Sequence, residues 1–416
     1  MIHLRNKLRR WLRKAVVPLM PKQLRYHVIR QAIRLPATIP HPDLIFKVAQ
    51  TKEELEQAFR LLHDNYVAAG LMEPHPSGMR LTKYHTLPST STLVAVLNKQ
   101  VLGTVSLIRT NPFGLPCEHL YDLTFLKRKR ARIAEISALS IEPSYSNRQG
   151  ALLWPLIKYM LEYCQNYFGV DEFVIVVHPR WYDFYKAVFF FEDLGKAKNY
   201  EFVGGAPGMG GSANFRFSSA YTERFYRNYP ASGNVYKYVY ENELDNFYFP
   251  KRNLLSIDDP VMTPDLLDYF FNQCSSVLAD MNDTERFALW QMYTRDDYRK
   301  ILPKPAAEIW NGRSLRANRF DVSCHGRLAI PGRSDIIVKV KNVSMVGIGC
   351  VMHRRLRRGE EYFMEIDLGH GEYAELSVVL AWLKPDGSCG LLISKSSASW
   401  ASFIDHLDQS RLRKAA

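Results

Sequence analysis

"AEISALSIEPSYSNRQGALLWPLIKYM", residues Ala134–Met160, reads as an apolar strand, a polar turn and a long helix. One acid, Glu135, interrupts the strand. Burial disfavours a charged carboxylate, so an acid in such a run is satisfied by a partner, neutralised or put to use. The turn "SNRQGALL" stands where α/β folds hold phosphate on the first amides of a helix. Here it has a single glycine, Gly150, and makes a poor cradle.

Outward from this stretch the order is that of an α/β layer. "TKEELEQAFRLLHDNYVAAG" starts at a capping box formed by Thr51 and Glu54. "TLVAVLNKQVLGTVSLIRT" is two β-branched runs joined by Asn98-Lys99-Gln100, a hairpin signal. After the helix to about Phe168 come a strand "EFVIVVHP", a short aromatic helix "RWYDFYKAV" and a strand "FFFEDL". Together these predict a mixed sheet with helices on it. "GGAPGMGGSANF" has neither a Lys-Ser/Thr pair nor a G-x-G-x-x-G leading into a helix, and reads as a flexible surface loop or lid.

Residues 219–302 read mostly as helix. "TPDLLDYFFNQCSSVLADM" and "DTERFALWQMYTRDDYRKIL" are expected as two antiparallel helices that cover a sheet face or link domains. From Arg313 short strands follow at regular spacing, which predicts a small antiparallel barrel closed by a helix near "SWASFIDHLDQSRL". The expected division is a basic segment 1–40, an α/β domain 41–218, a helical linker 219–310 and an all-β barrel 311–416.

A chain of 416 residues fits two or three domains. Its six cysteines form no C-x-x-C pair and no metal-ligand spacing, which points to a reducing compartment and to neither zinc nor a disulfide framework. The net charge of +13 is concentrated at the front: residues 1–42 hold ten Lys and Arg and no acid. Leu4, Leu8, Trp11, Leu12 and Val16 place an apolar stripe on that basic segment. Residues 1–34 are therefore expected on an anionic membrane surface, the plainer alternative being that the stripe docks on the protein's own body. No stretch approaches the roughly 20 apolar residues that span a bilayer. The expected location is the cytoplasm, peripheral to the inner membrane.

The ordered set "LGTVSLIRTNPFGLPCEHLYDL", "RIAEISALSI" and "HPRWYDFY…FFFEDLG" resembles the GNAT acyltransferase superfamily. Within it, residues from about Phe46 to Ala206 resemble the FeeM-type N-acyl amino acid synthases, cousins of the acyl-homoserine-lactone synthases. The resemblance implies transfer of a fatty acyl group from acyl carrier protein to the amine of an amino acid, with Glu135 as the catalytic acid/base. The chemistry agrees, since attack on a thioester needs a neutral amine and a desolvated carboxylate titrates near neutrality. The alternative is a Glu135 paired with Arg130 or Arg132 at the strand edge.

The same resemblance implies main-chain amides near Leu139 and Ser140 on the thioester carbonyl, and Tyr185 as proton donor to the departing thiolate, against a core-aromatic reading of Tyr185. Arg80 and His178 are candidate contacts of the acceptor amino acid. A donor carried on phosphopantetheine has one phosphodiester, which fits the poor cradle. Carrier proteins are acidic, and Lys127, Arg128, Lys129, Arg130 and Arg132 offer a basic docking surface. No nucleic-acid partner and no metal are expected.

The C-terminal strands resemble a PilZ domain, a receptor for cyclic di-GMP. The motif Asn342-x-Ser344-x-x-Gly347 is intact. Its arginine arm departs from R-x-x-x-R: Arg319 takes the second place, Leu315 the first, and Arg316 is one position late. Ligand contacts are expected at Arg316, Arg319, Asn342, Ser344 and Gly347. Two other readings are a non-catalytic effector that binds messenger or carrier protein, and a coenzyme-A-dependent acetyltransferase.

Overall fold

A computed structural model describes residues 20–128, 131–146, 150–215, 218–250, 259, 261–293, 296–306, 319–332, 334–352, 354, 356–369 and 371–410. Its first unit is a nine-stranded sheet in the order β6-β8-β5-β4-β3-β2-β1-β9, with β7 on β8. The strands are β1 (Ile45–Val48), β2 (Thr90–Leu97), β3 (Gln100–Arg109), β4 (Ile133–Ile141), β5 (Glu172–Val177), β6 (Glu192–Asp193), β7 (Lys198–Tyr200), β8 (Ala206–Asn214) and β9 (Phe247–Tyr248). β4 and β5 run parallel, as do β1 and β9. The β2–β3 turn is tighter than expected. Gln100 is already in the strand, and Asn98 and Lys99 take φ 50° and 66°, the left-handed pair that matches the twist of a two-residue hairpin.

The sheet has a core on each face. Leu93 and Ala95 of β2 enter one, Val94 and Val96 the other, the two-residue alternation of a strand buried on both sides. Helix Lys52–Ala68 starts at the Thr51–Glu54 capping box and buries Leu55, Phe59 and Leu62 in one core. Helix Leu153–Tyr163 buries Leu156, Tyr159 and Tyr163 in the other.

Three expectations need correction here. The glycine-rich stretch read as a loop is strand β8, hydrogen-bonded along β5 from Val177↔Met209 to Glu172↔Asn214. Its glycines make room for neighbours. A Cβ on Gly210 would lie 2.4 Å from the Tyr121 ring, and one on Gly211 2.7 Å from the Tyr182 hydroxyl. "FFFEDL" contributes only the two residues of β6.

Second, the described residues of 219–302 form part of the first unit. Tyr226 and Tyr238 enter one core and Phe270, Phe271, Leu289 and Tyr293 the other. Lys158 Nζ donates to Val239 O at 2.7 Å, and Tyr293 Oη to Thr86 O at 2.6 Å. The first expected long helix is a turn at Pro264–Asp268 with a π-helical turn at Tyr269–Gln273. Neighbouring helical residues diverge by roughly 100°. Phe270 and Phe271 are both fully buried, so this segment wraps into the core and does not lie along it.

Third, helix Lys22–Gln31 lies on helix Pro179–Phe189. Arg25 pairs with Asp183 at 3.0 Å and Arg30 Nε donates to Ala187 O at 2.6 Å. Of the segment expected on a membrane surface, this part docks on the protein's own body; residues 1–19 lie outside the described residues. No helix among the described residues is long and apolar enough to cross a membrane.

The second unit is a closed antiparallel barrel, β10-β11-β12-β15-β14-β13. Its strands are β10 (Phe320–Leu328), β11 (Ile336–Ser344), β12 (Gly347–Val351), β13 (Glu361–Gly369), β14 (Glu372–Leu383) and β15 (Ser388–Ser396). Phe320, Val322, Cys324 and Leu328 alternate inward, and helix Ala398–Ser410 adds Trp400, Phe403 and Leu407 to the same core.

Candidate active site

β4 and β5 pair only from Ile133↔Glu172 to Glu135↔Val174. Beyond Glu135 no pairing joins them. On its other side β4 is bulged: Ala138 and Leu139 together oppose Val105, and Ala138 takes φ 53°. A cavity of about 640 Å³ opens here, lined by Glu135–Leu139, by Ile175–Val177 of β5 and His178 after it, and by Phe184, Tyr185, Tyr200 and Phe202. Its wall is mostly apolar, as a pocket for a hydrocarbon chain requires.

Glu135 is 2% exposed and faces this cavity. Its Oε2 accepts the main-chain N–H of Cys117 at 2.8 Å. Burial raises its pKa to about 7; the hydrogen bonds from the Cys117 amide and thiol oppose that rise, and the charge of Glu118 adds to it. No basic side chain among the described residues pairs with it. Of the two alternative partners, Arg130 lies outside the described residues, and Arg132 gives its main-chain N–H to Asp171 Oδ2 at 2.9 Å and its Nη1 to Phe168 O at 3.3 Å and Ser323 Oγ at 2.9 Å. Cys117 went unnoticed in sequence, although Pro116 opens a short helix Pro116–His119 whose first free amides can meet an anion.

Tyr185 lines the cavity among Phe184 and Phe191. Burial, with a smaller contribution from Tyr66, lifts its pKa to about 12, so it holds its proton at neutral pH. Leu139 lines the cavity at the bulge. Ser140 does not: its main chain rejoins the ladder opposite Thr104, and its hydroxyl meets Asn65 Nδ2 and Leu61 O. The backbone freed by the bulge is that of Ala138 and Leu139, one position earlier than expected.

Arg80 stands a layer behind the wall. Its Nη2 donates to Phe202 O at 2.8 Å, and its guanidinium lies 4.5 Å from the Tyr66 ring and 4.7 Å from the Phe202 ring. His178 lines the cavity, and its Nδ1 accepts the N–H of Arg180 as cap of the next helix. Of the basic docking run, Lys127 pairs with Glu118 at 2.5 Å and Arg132 turns inward as described. Arg128 ends a one-turn helix, and Lys129 and Arg130 lie outside the described residues.

In the barrel, Arg319 Nη1 donates to Asn342 Oδ1 at 2.5 Å, and Ser344 Oγ to Gly347 O at 3.1 Å. A Cβ on Gly347 would lie 3.2 Å from Arg319 Nη2, so this glycine lets the arginine approach. Arg319, Asn342, Ser344 and Gly347 thus share one end of the barrel; Arg316 lies outside the described residues.

The arrangement is a desolvated carboxyl at the fork of two parallel strands, facing an apolar cavity, and a group so placed can accept a proton near neutral pH. Residues 57–213 match the family model "N-acyl amino acid synthase FeeM". That span carries a domain of N-acyltransferase type, and the barrel lies outside the match. Among solved structures, this chain is similar to FeeM, an N-acyl amino acid synthase from uncultured soil microbes, at 21% identity over 43% of this chain and 95% of that one, with a TM-score of 0.38. It is also similar to BjaI, a CoA-dependent acyl-homoserine lactone synthase, at 18% identity over 51% and 96%, TM-score 0.35. A third similarity is to the Bacillus subtilis inhibitor of motility MotI/DgrA, at 19% identity over 25% and 54%, TM-score 0.21. No curated protein matches.

Proposed function

We propose that the first unit moves a fatty acyl group from the phosphopantetheine thioester of acyl carrier protein to the amine of an amino acid. The observation that carries this reading is Glu135, buried without a cationic partner among the described residues and facing an apolar cavity. Glu135 takes a proton from the acceptor's ammonium, directly or through a water, and the freed nitrogen attacks the thioester carbon. The amides freed at Ala138 and Leu139 meet the oxyanion that forms. The C–S bond breaks, Tyr185 gives its proton to the departing sulfur and is reprotonated by Glu135, and the second proton of the attacking nitrogen leaves to solvent as the amide forms. Arg80 contributes positive potential on the acceptor side, and His178 lines its approach. Lys127 and Arg128 are the part of the basic run proposed to meet the carrier protein.

Cyclic di-GMP is the proposed regulator, bound through Arg319, Asn342, Ser344 and Gly347 of a PilZ-like barrel. The basic stretch Arg5–Lys14 is the proposed contact with an anionic membrane surface in the cytoplasm. Incubating the purified chain with acyl-carrier protein or acyl-coenzyme A and a mixture of amino acids, with mass spectrometry of the products, tests the reading. N-acyl amino acids formed from the carrier-protein donor and lost in Glu135→Gln are expected; equal product from both proteins would overturn the role of Glu135.

A further inference from the structure

Two buried tyrosines have no hydrogen-bond partner among the described residues: Tyr200, on the cavity that holds Glu135, and Tyr84, packed behind it on the cavity-lining Phe202. Tyr200 is 4% exposed and Tyr84 1% exposed, and neither phenol oxygen meets a donor or acceptor. An orphaned buried hydroxyl bears the full cost of its lost hydration, and phenylalanine would fill the same space without it. Tyr200 lines the cavity that Glu135 lines. Gly208 permits this, since a Cβ there would lie 2.7 Å from Val176 Cγ1 and 3.3 Å from Tyr200 Cβ.

The two rings belong to one cluster. Tyr84 meets Phe202 edge-on at 5.9 Å, and Tyr200 meets the same ring at 5.6 Å. Arg80 lies over that ring too, 6% exposed, with no carboxylate among the described residues paired to it. His85 beside it is held neutral, its pKa lowered to about 3 by burial and then by Arg80. Glu135, an anion-forming group, thus lies on this wall, and an unneutralised buried cation, Arg80, stands a layer behind it. Tyr200 feels both: burial raises its pKa most, Glu135 adds to the rise and Arg80 opposes it. A buried cation without an acid calls for a counter-charge from elsewhere. An α-amino acid supplies one, with its amine toward Glu135 and its carboxylate toward Arg80.

We infer that Tyr200 and Tyr84 are acceptor-positioning residues that donate their phenolic hydrogens to the carboxylate of the incoming amino acid. This rests on the acyl-transfer reading and adds to it a basis for preferring amino acids over plain amines. Both phenols stay protonated at working pH, so both are donors, and the carboxylate has lone pairs for each.

The test uses the full chain, wild type and Tyr84→Phe/Tyr200→Phe, supplied with acyl-carrier protein and an equimolar mixture of amino acids and their decarboxylated amines. Wild type is expected to acylate amino acids over the matching amines by about ten-fold or more, roughly two hydrogen bonds' worth of discrimination. The double variant is expected to bring that ratio near unity while acylated amines persist. An unchanged ratio, or a variant that changes only the pH profile because the phenols serve Glu135, would overturn the inference. Equilibrium dialysis of both proteins against the same mixture separates it from turnover. Amino acids retained by wild type and released by the variant sustain the inference even if no product forms, in which case the acyl-transfer reading alone falls. No amino acid retained by wild type and none acylated would end it.

Discussion

The main-chain N–H of Cys117 reaches Glu135 Oε2 across 2.8 Å, joining the start of a short helix to the middle of the sheet. This bond fixes the direction of the carboxylate. It does not neutralise the penalty of burial, because the amide and thiol of Cys117 supply far less than the water shell they replace. The acid is left with a pKa of about 7, where it can both take and release a proton under ordinary conditions.

Acyl transfer should therefore follow one ionisation on the acidic side. With the carboxylate as base, kcat/KM rises through an apparent pKa near 7 and levels off above it. Glu135→Gln keeps the shape, removes the base and should lower the rate about 100-fold or more. A pH–rate profile of both proteins checks this; a flat wild-type profile between pH 6 and pH 8 would contradict it.

The same shift affects stability. The folded pKa lies above the unfolded value of 4.5, so between about 4.5 and 7 the folded state holds a proton that the unfolded chain has lost. Stability therefore falls as pH rises through that window, and the loss is constant above it. A rise from 4.5 to about 7 corresponds to about 3 kcal/mol. Glu135→Gln has no such slope. It should match wild type near pH 4.5 and exceed it at pH 8, as read from urea midpoints at the two pH values.

How far the sequence discloses this site depends on the range of the forces involved. The capping box at Thr51 and Glu54 and the hairpin at Asn98-Lys99 are local, and both are legible. Glu135 is legible because an acid in an apolar run is itself anomalous. Strand β8 is not: its glycines resemble a loop until Tyr121 and Tyr182, far earlier in the chain, are seen occupying the space their side chains would need. The bulge at Ala138 is set by pairing with β3, so Ser140 is misjudged by one step. Arg80, Tyr84 and Tyr200 come together only through the aromatic packing around Phe202.

The glycine strand gives a direct test of that account. In Gly210→Ala the new methyl would overlap the Tyr121 ring, whose hydroxyl donates to Lys196 O and Gly208 O and accepts the N–H of Gly210. The ring cannot move without breaking these bonds. Overpacking of this kind costs about 1–3 kcal/mol. Urea unfolding should show the loss; a variant as stable as wild type would mean that β8 does not pack as described.

A hydrogen bond joins the barrel to the residue that precedes β4. Arg132 Nη1 donates to Ser323 Oγ at 2.9 Å, three residues before Glu135. Ser323 lies where the β10–β11 register slips, between Asp321↔Asn342 and Cys324↔Val340. The slip thus adjoins Asn342, which holds Arg319. A ligand that draws Arg319 and Asn342 into new contacts would shift the β10 irregularity, and Arg132 would carry the shift to β4. A ligand can bias the enzyme only by what it contacts differently in two states. Arg319→Ala should abolish cyclic di-GMP binding in calorimetry. Arg132→Ala should bind it within about two-fold of wild type and keep the basal rate, but lose the change in kcat, about five-fold or more, expected for coupling of ordinary size. A ligand response that survives in Arg132→Ala would show that the two units communicate by another contact.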